Sequence, residues 1–351
     1  PLLAKLAEDE DEDVRYTVAK NANTPVSLLE KLAEDENGKV RGWVGENKNT
    51  PLSLLKKLAE DVNGEVRLSV ARNKNIPVSL LEKLAEDEDG FVRESVVTNA
   101  NTPVHVLEKL EEDKSGRVRL RLAERENAPV SLLEKFAEDE DKYVIYAVIQ
   151  HANAPVSLLE KLAEDKNKYV RYAVARNKNT PASPLEKLVY DDDEYVCSSA
   201  IANANTPITL LEKLAEFNDS KISVARNPST PVTVLEKLAK DKDCKESVAN
   251  NPSTPIPVLE KLAKGKRNWE VRSLVAANAN TPVSLLEKLA NNNNYDEDYN
   301  VRCRVAANAN TPVSVLVKLA EDENESVRYS VAENANTTVP LLEKLAEDED
   351  D

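Results

Sequence analysis

The stretch VRYTVAKNANTPVSLLEKLAED, residues 14–35, decides the fold, because near-copies of it run from one end of the chain to the other. The proline of its TPV recurs as Pro25, Pro51, Pro77, Pro103, Pro129, Pro155, Pro181, Pro207, Pro231, Pro255, Pro282 and Pro312, and Thr338 takes its place in the last copy. The spacing is 26 residues as far as Pro207, then 24, 24, 27, 30 and 26. A period in this range signals stacked supersecondary units. In TPVSLLEKLAED, Val26, Leu29, Leu32 and Ala33, flanked by Leu28, recur at helical spacing and predict a buried face. Thr24 is expected to cap that helix and Pro25 to occupy its first turn, where the missing N–H has no partner to lose. The other segment, DVRYTVAKN, predicts a short α or 3₁₀ helix burying Val14, Val18 and Ala19. One such pair cannot cover its own apolar faces, but stacked neighbours can.

These residues resemble the leucine-rich repeat variant family, and the two 24-residue units containing NPSTP, around Pro231 and Pro255, resemble it most. The resemblance implies an all-α, right-handed solenoid: about 13 repeats of 24–30 residues, alternating an α-helix with a short α or 3₁₀ helix, without strands. It covers essentially the whole chain, 1–351, as one continuous solenoid with a half-repeat at each end. The 26-residue period is longer than the family unit, which predicts a longer second helix here. The family's prototype carries an N-terminal cysteine-rich iron–sulfur segment. Nothing here matches it, so no cluster or other cofactor is expected. Length changes fall between LAED and VR, so the insertion NNNNYDEDYN, 291–300, is expected to be a loop.

The composition narrows the function. A net charge of −16 over 351 residues opposes non-specific binding to nucleic acid or anionic membrane, and no apolar run reaches a membrane span. Cys197, Cys244 and Cys303 form no ladder or cluster and read as reduced structural thiols. Together with the absence of a visible signal peptide, this favours the cytoplasm. His105 and His151 are the only histidines, and no nucleophile, metal or phosphate-loop motif accompanies them. The expectation is a protein that is not an enzyme.

Stacking turns each repeat position into a ladder. Asn21, Asn47, Asn73, Asn99, Asn177, Asn203, Asn227, Asn251, Asn278, Asn308 and Asn334 form one, interrupted by Arg125 and His151. An amide can pair turn backbone that would otherwise be buried unsatisfied, and His151 reads as a substitute for it. Lysines from Lys5 to Lys344 form a second ladder, and Arg15, Arg41, Arg67, Arg93, Arg119, Arg171, Arg272, Arg302 and Arg328 a third. Neighbouring acids are expected to pair with both. Left unpaired, these rows would suit a polyanion such as nucleic acid, the less favoured alternative. The acidic runs DEDEDV, DENGKV and DDDEYV lack a calcium-loop pattern and suit helix N-termini.

A constant scaffold discriminates partners only where its repeats differ. The residue two after the Val of VR varies most, and the residue before that Val is aromatic in Phe91, Tyr143, Tyr169 and Tyr195. Tyr143 and Tyr146, and Tyr169 and Tyr172, lie three apart on one helix face and are expected to stack across adjacent repeats. With Trp43, Phe91 and Tyr195 they are the candidate contact residues for a protein or peptide partner. The chain opens PLLAKLAED and closes PLLEKLAEDEDD without a distinct polar cap, so end-to-end self-association into a filament or surface array is the structural alternative.

Overall fold

The computed structural model describes residues 2–265, 268–291 and 298–347. Every regular element among them is helical, and the chain divides into two compact units, Pro1–Leu159 and Glu160–Asp351. Each unit alternates two helix types. The TPV helices are short, as in Val26–Leu32 and Val78–Leu84 of the first unit and Val232–Leu238 of the second. The VR helices are longer: Glu12–Lys20, Gly38–Glu46, Gly64–Arg72, Gly90–Thr98, Gly116–Ala123 and Lys142–Gln150 in the first unit, and Lys168–Arg176 and Glu194–Ala202 opening the second. Within each unit consecutive VR helices pack directly on one another.

The longer second helix follows from its cap. Asn37, Asn63, Asp89 and Asp141 each accept the backbone N–H two residues on, so the acidic run supplies the N-cap that starts a full α-helix. In the 24-residue units that cap is lost: Lys221–Arg226 and Lys245–Asn250 have six residues each, and the first follows a 3₁₀ turn at Asn218–Ser220. Asp298–Asn300 belong to the helix Asp298–Ala307, not to a loop. The rest of the expected loop, 292–297, lies outside the described residues.

Two sequence expectations are corrected. Thr24 does not cap the helix that follows it; its hydroxyl donates to the Val18 carbonyl at 2.6 Å, closing the preceding VR helix. Thr102, Thr180, Thr230 and Thr254 do the same for Val96, Val174, Val224 and Val248. A C-terminal carbonyl buried in the stack needs a donor more than the next helix needs an acceptor, because Pro25 itself sits at the cap and carries no N–H. Val26 is likewise not core: it is 43% exposed, as are its repeat equivalents Val78 and Val104 at 43% and 68%. It is the first helical residue and stands at the rim. The core is Leu29, Leu32, Ala33, Val18 and Ala19 with their repeat equivalents, and Val14, at the edge of its unit, is half-buried.

Candidate functional site

The asparagine ladder is part of the framework. Asn73 donates from Nδ2 to the backbone oxygens of Gly45 and Asn47, 2.7 and 2.9 Å, and its Oδ1 accepts the Asn75 N–H at 2.8 Å. Asn99, Asn203, Asn251 and Asn334 repeat the pattern. His151 reproduces it with an imidazole: Nε2 donates to the Arg125 oxygen at 2.9 Å, and Nδ1 accepts the Asn153 N–H at 3.1 Å. Both ring nitrogens are therefore occupied by backbone, and the ring is held as the Nε2–H tautomer.

The arginine row is largely buried and paired with acids, as expected from sequence, rather than free to follow a polyanion. Arg41 donates Nε and Nη2 to both carboxylate oxygens of Asp61 in the next repeat, 2.7 and 2.9 Å, and Nη1 to the backbone oxygen of Asp35 at 2.7 Å. Asp35 is itself held by Arg15. The linkage continues through Arg67–Asp87, Arg93–Asp113 and Arg119–Asp139, and in the second unit through Arg171–Asp191 and Arg302–Asp322. Burial pushes the Asp113 carboxyl up, but hydrogen bonds from Arg93 and the Ser115 N–H, with the arginine charge, bring it below the usual aspartate range. The partner is an acid 20 residues on rather than a sequence neighbour.

The lysine row pairs at the surface with the Glu of the preceding LAED: Lys31 with Glu8, Lys57 with Glu34, Lys187 with Glu164, Lys344 with Glu321. The alternation fails where Lys240 and Lys264 stand in the Glu place, and Lys240, Lys245 and Lys261 line a groove of about 330 Å³. The repeat pattern itself carries the signal, Lys in the Glu place of LAED.

The predicted contact residues lie on the VR helices. In the first unit Trp43 is half-buried, stacked on Tyr16 at 6.4 Å, with the Lys20 ammonium 4.6 Å from its centroid. Phe91 is exposed beneath the Arg117 guanidinium at 4.7 Å. Tyr143 and Tyr146 meet edge to face at 6.2 Å, as their spacing of three predicts. They border a groove of about 540 Å³ with Leu120 and Ala147. In the second unit Tyr169 and Tyr195 are exposed at the second position of their helices, and Arg176 lies 5.6 Å from the Tyr172 ring. The three thiols are free, and burial pushes each of them up, leaving them poor nucleophiles. Among the described residues no group of acidic, His or Cys side chains converges as a metal site, and no helix is long and apolar enough to cross a membrane.

The family model for the leucine rich repeat variant matches residues 64–89, one VR helix, its turn and one TPV helix. That unit is the one repeated along the chain. The repeat at 64–89 matches the leucine-rich repeat variant, and its near-copies fill the rest of the chain. No curated protein matches the chain by sequence. Among solved structures, one described as a leucine-rich repeat variant with a novel repetitive protein structural motif is 25% identical, with 64% of this chain and 79% of that chain covered and a TM-score of 0.39. Importin beta is 13% identical with a TM-score of 0.33; 94% of this chain is covered, which spans about half, 49%, of that one. The repeat framework accounts for the constant ladders. The aromatic positions and the lysine group at Lys240, Lys245 and Lys261 are additions to it.

Proposed function

We propose that the chain is a non-catalytic interaction scaffold whose VR-helix face binds protein or peptide partners. Trp43, Phe91, Tyr143 and Tyr146 are the contact residues of the first unit, and Tyr169, Tyr172 and Tyr195 those of the second. The observation that carries this reading is the Tyr143–Tyr146 pair, two rings in mutual contact at the rim of an apolar-walled groove. No core residue needs Tyr143, which is 58% exposed. Aromatic side chains offer large contact area at low entropic cost, which is why they anchor interfaces. The buried Arg–Asp and Asn ladders keep that face rigid and so limit the ordering cost of binding.

The test is selection of random peptides on the native chain and on the Tyr143→Ala/Tyr146→Ala variant. Peptides enriched by the native chain should lose at least about tenfold in affinity on the variant, while its circular dichroism and urea midpoint stay unchanged. Equal binding by both proteins would remove these residues from the site.

A further inference from the structure

The repeat at 117–125 reads RVRLRLAER, and three of its departures from the constant pattern concern one groove. Arg117 takes the variable place before Val118, Arg121 a place that holds Ser69, Ser95, Ala147 and Ala173 in neighbouring repeats, and Arg125 a rung of the asparagine ladder. With Arg72 they line a groove of about 570 Å³ floored by Leu68 and Phe91. Four guanidinium groups there face only two carboxylates, Glu94 and Glu124, in a chain of net charge −16.

The carboxylates neutralise only part of the cluster. Glu94 accepts Arg121 at 2.8 Å and draws Arg117 to 3.6 Å, and Glu124 accepts Arg121 at 2.7 Å. Arg72 and Arg125 have no carboxylate within ion-pair distance among the described residues. Arg125 keeps one ladder bond, to the Val97 carbonyl, but makes no bond to the Asn99 oxygen and offers no acceptor to the Asn127 N–H. It is half-buried, and burial alone pulls its guanidinium below the usual arginine range. The sequence thus gives up a structural amide to place an uncompensated guanidinium in this groove, an arrangement that an incoming anion would complete.

Resting on the interaction face proposed above, we infer that this groove binds a carboxylate of an acidic peptide segment lying across consecutive VR helices. A peptide rather than a polyanion fits because Glu124 also lines the Tyr143–Tyr146 groove, so the basic and aromatic grooves adjoin within the first unit. A nucleic-acid backbone needs a continuing basic row, but the places of Arg117 and Arg121 hold Phe91 and Ser95 in the repeat before and Tyr143 and Ala147 in the repeat after. Adjacent helices lie roughly 10 Å apart, and an extended peptide rises about 3.3 Å per residue. The ligand motif is therefore an Asp or Glu about three residues from an aromatic or branched apolar residue.

The test uses the full chain to select from a displayed library of random sixteen-residue peptides, followed by fluorescence anisotropy on the enriched peptides at low and moderate salt. Enrichment of that acidic-to-apolar spacing is expected, with at least about tenfold weaker binding when the acidic residue is replaced by its amide. Arg125→Asn restores the ladder residue and Arg72→Gln alters an exposed side chain, so the double variant should fold as the native chain does. It should lose the preference for acid over amide. Enrichment without acidic residues, or a preference unchanged in the double variant, overturns the carboxylate groove and leaves the aromatic face standing. No enrichment at all overturns both, and a single-stranded oligonucleotide binding more tightly than the best acidic peptide overturns the peptide assignment.

Discussion

The Arg–Asp spine predicts an unusually costly conservative substitution, Asp113→Asn. The Asp113 carboxylate receives Arg93 Nε and Nη2 at 2.5 and 2.8 Å and the Ser115 N–H at 2.8 Å. The side chains of Arg93 and Asp113 are 5% and 4% exposed. An amide oxygen can keep the position shared by Nη2 and the Ser115 N–H, but its NH₂ then points at Arg93 Nε, donor against donor. The Arg93 cation stays buried without a counter-charge, held only by the neutral amide oxygen and the Asp87 and Glu88 backbone oxygens. Leaving one member of a buried pair uncompensated costs about 3–5 kcal/mol, and those two carbonyls place this case near 3 kcal/mol.

Urea denaturation followed by far-ultraviolet circular dichroism measures the loss. Amide exchange in Gly90–Thr98 and Gly116–Ala123 locates it, because a repeat stack loses stability near the altered interface first. Two comparisons isolate the cause. Glu34→Ala breaks the exposed pair with Lys57 and should leave the midpoint unchanged. Arg93→Met with Asp113→Leu removes both charges and should be less damaging than Asp113→Asn alone. A cost for Asp113→Asn below about 1 kcal/mol, the range of a surface pair, would falsify the claim that the spine supports the stack.

Acid should act through the same groups. Asp35, Asp61, Asp87, Asp113, Asp139 and Asp191 all have carboxyls held below the usual range in the folded chain. The unfolded chain then binds more protons in that window, so their contribution is fully present above about pH 4 and is lost as pH falls through the folded values. The urea midpoint should hold from pH 7 to 5 and drop steeply below 4; a decline already under way between 7 and 5 would contradict the sign. At His151, replacement by Asn should leave stability unchanged or raise it, since the amide can also reach the Ala123 carbonyl that the ring does not. Leucine there strands the Arg125 oxygen and the Asn153 N–H and should cost about 1–3 kcal/mol, read from the same titration. If the two substitutions cost the same, the ring is packing rather than pairing.

Much of the fold was legible because a repeated sequence compares itself. Leu29 and its equivalents announced the core, and a ladder of Asn announced paired turns, which made His151 readable as a stand-in. Local reasoning failed where a side chain acts on the neighbouring unit. Thr24 looks forward to a helix start in the sequence but reaches back to Val18 in the structure. Arg15 is surrounded by acids in sequence, and nothing local says that its partner is Asp35. The signal lay at the constant offset: where Cys197 replaces the arginine, the place 20 residues on holds Phe217 instead of aspartate. Tyr143 and Tyr146 were found from variability and spacing alone, but the groove beside them needed coordinates, because Leu120 comes from the preceding repeat.

A repeat stack gains stability from sameness, since each rung is paired by the one before it. Recognition requires departures, and each departure weakens a rung. Arg125 and His151 are successive rungs, and they are the two non-amide members of the asparagine ladder. Arg125 forfeits the bond to Asn99, and its own backbone oxygen is then held by the His151 ring. Both grooves of the first unit meet at Glu124, beside these two rungs: Arg125 lines the basic one and His151 the aromatic one. Drift alone would scatter such losses along the chain. Their concentration beside the exposed aromatic pair and the unpaired guanidinium groups is what the proposed ligand site would require. Arg119, on the helix that Arg125 follows, keeps its buried pair with Asp139, whereas Ile145 takes the arginine place on the helix before His151.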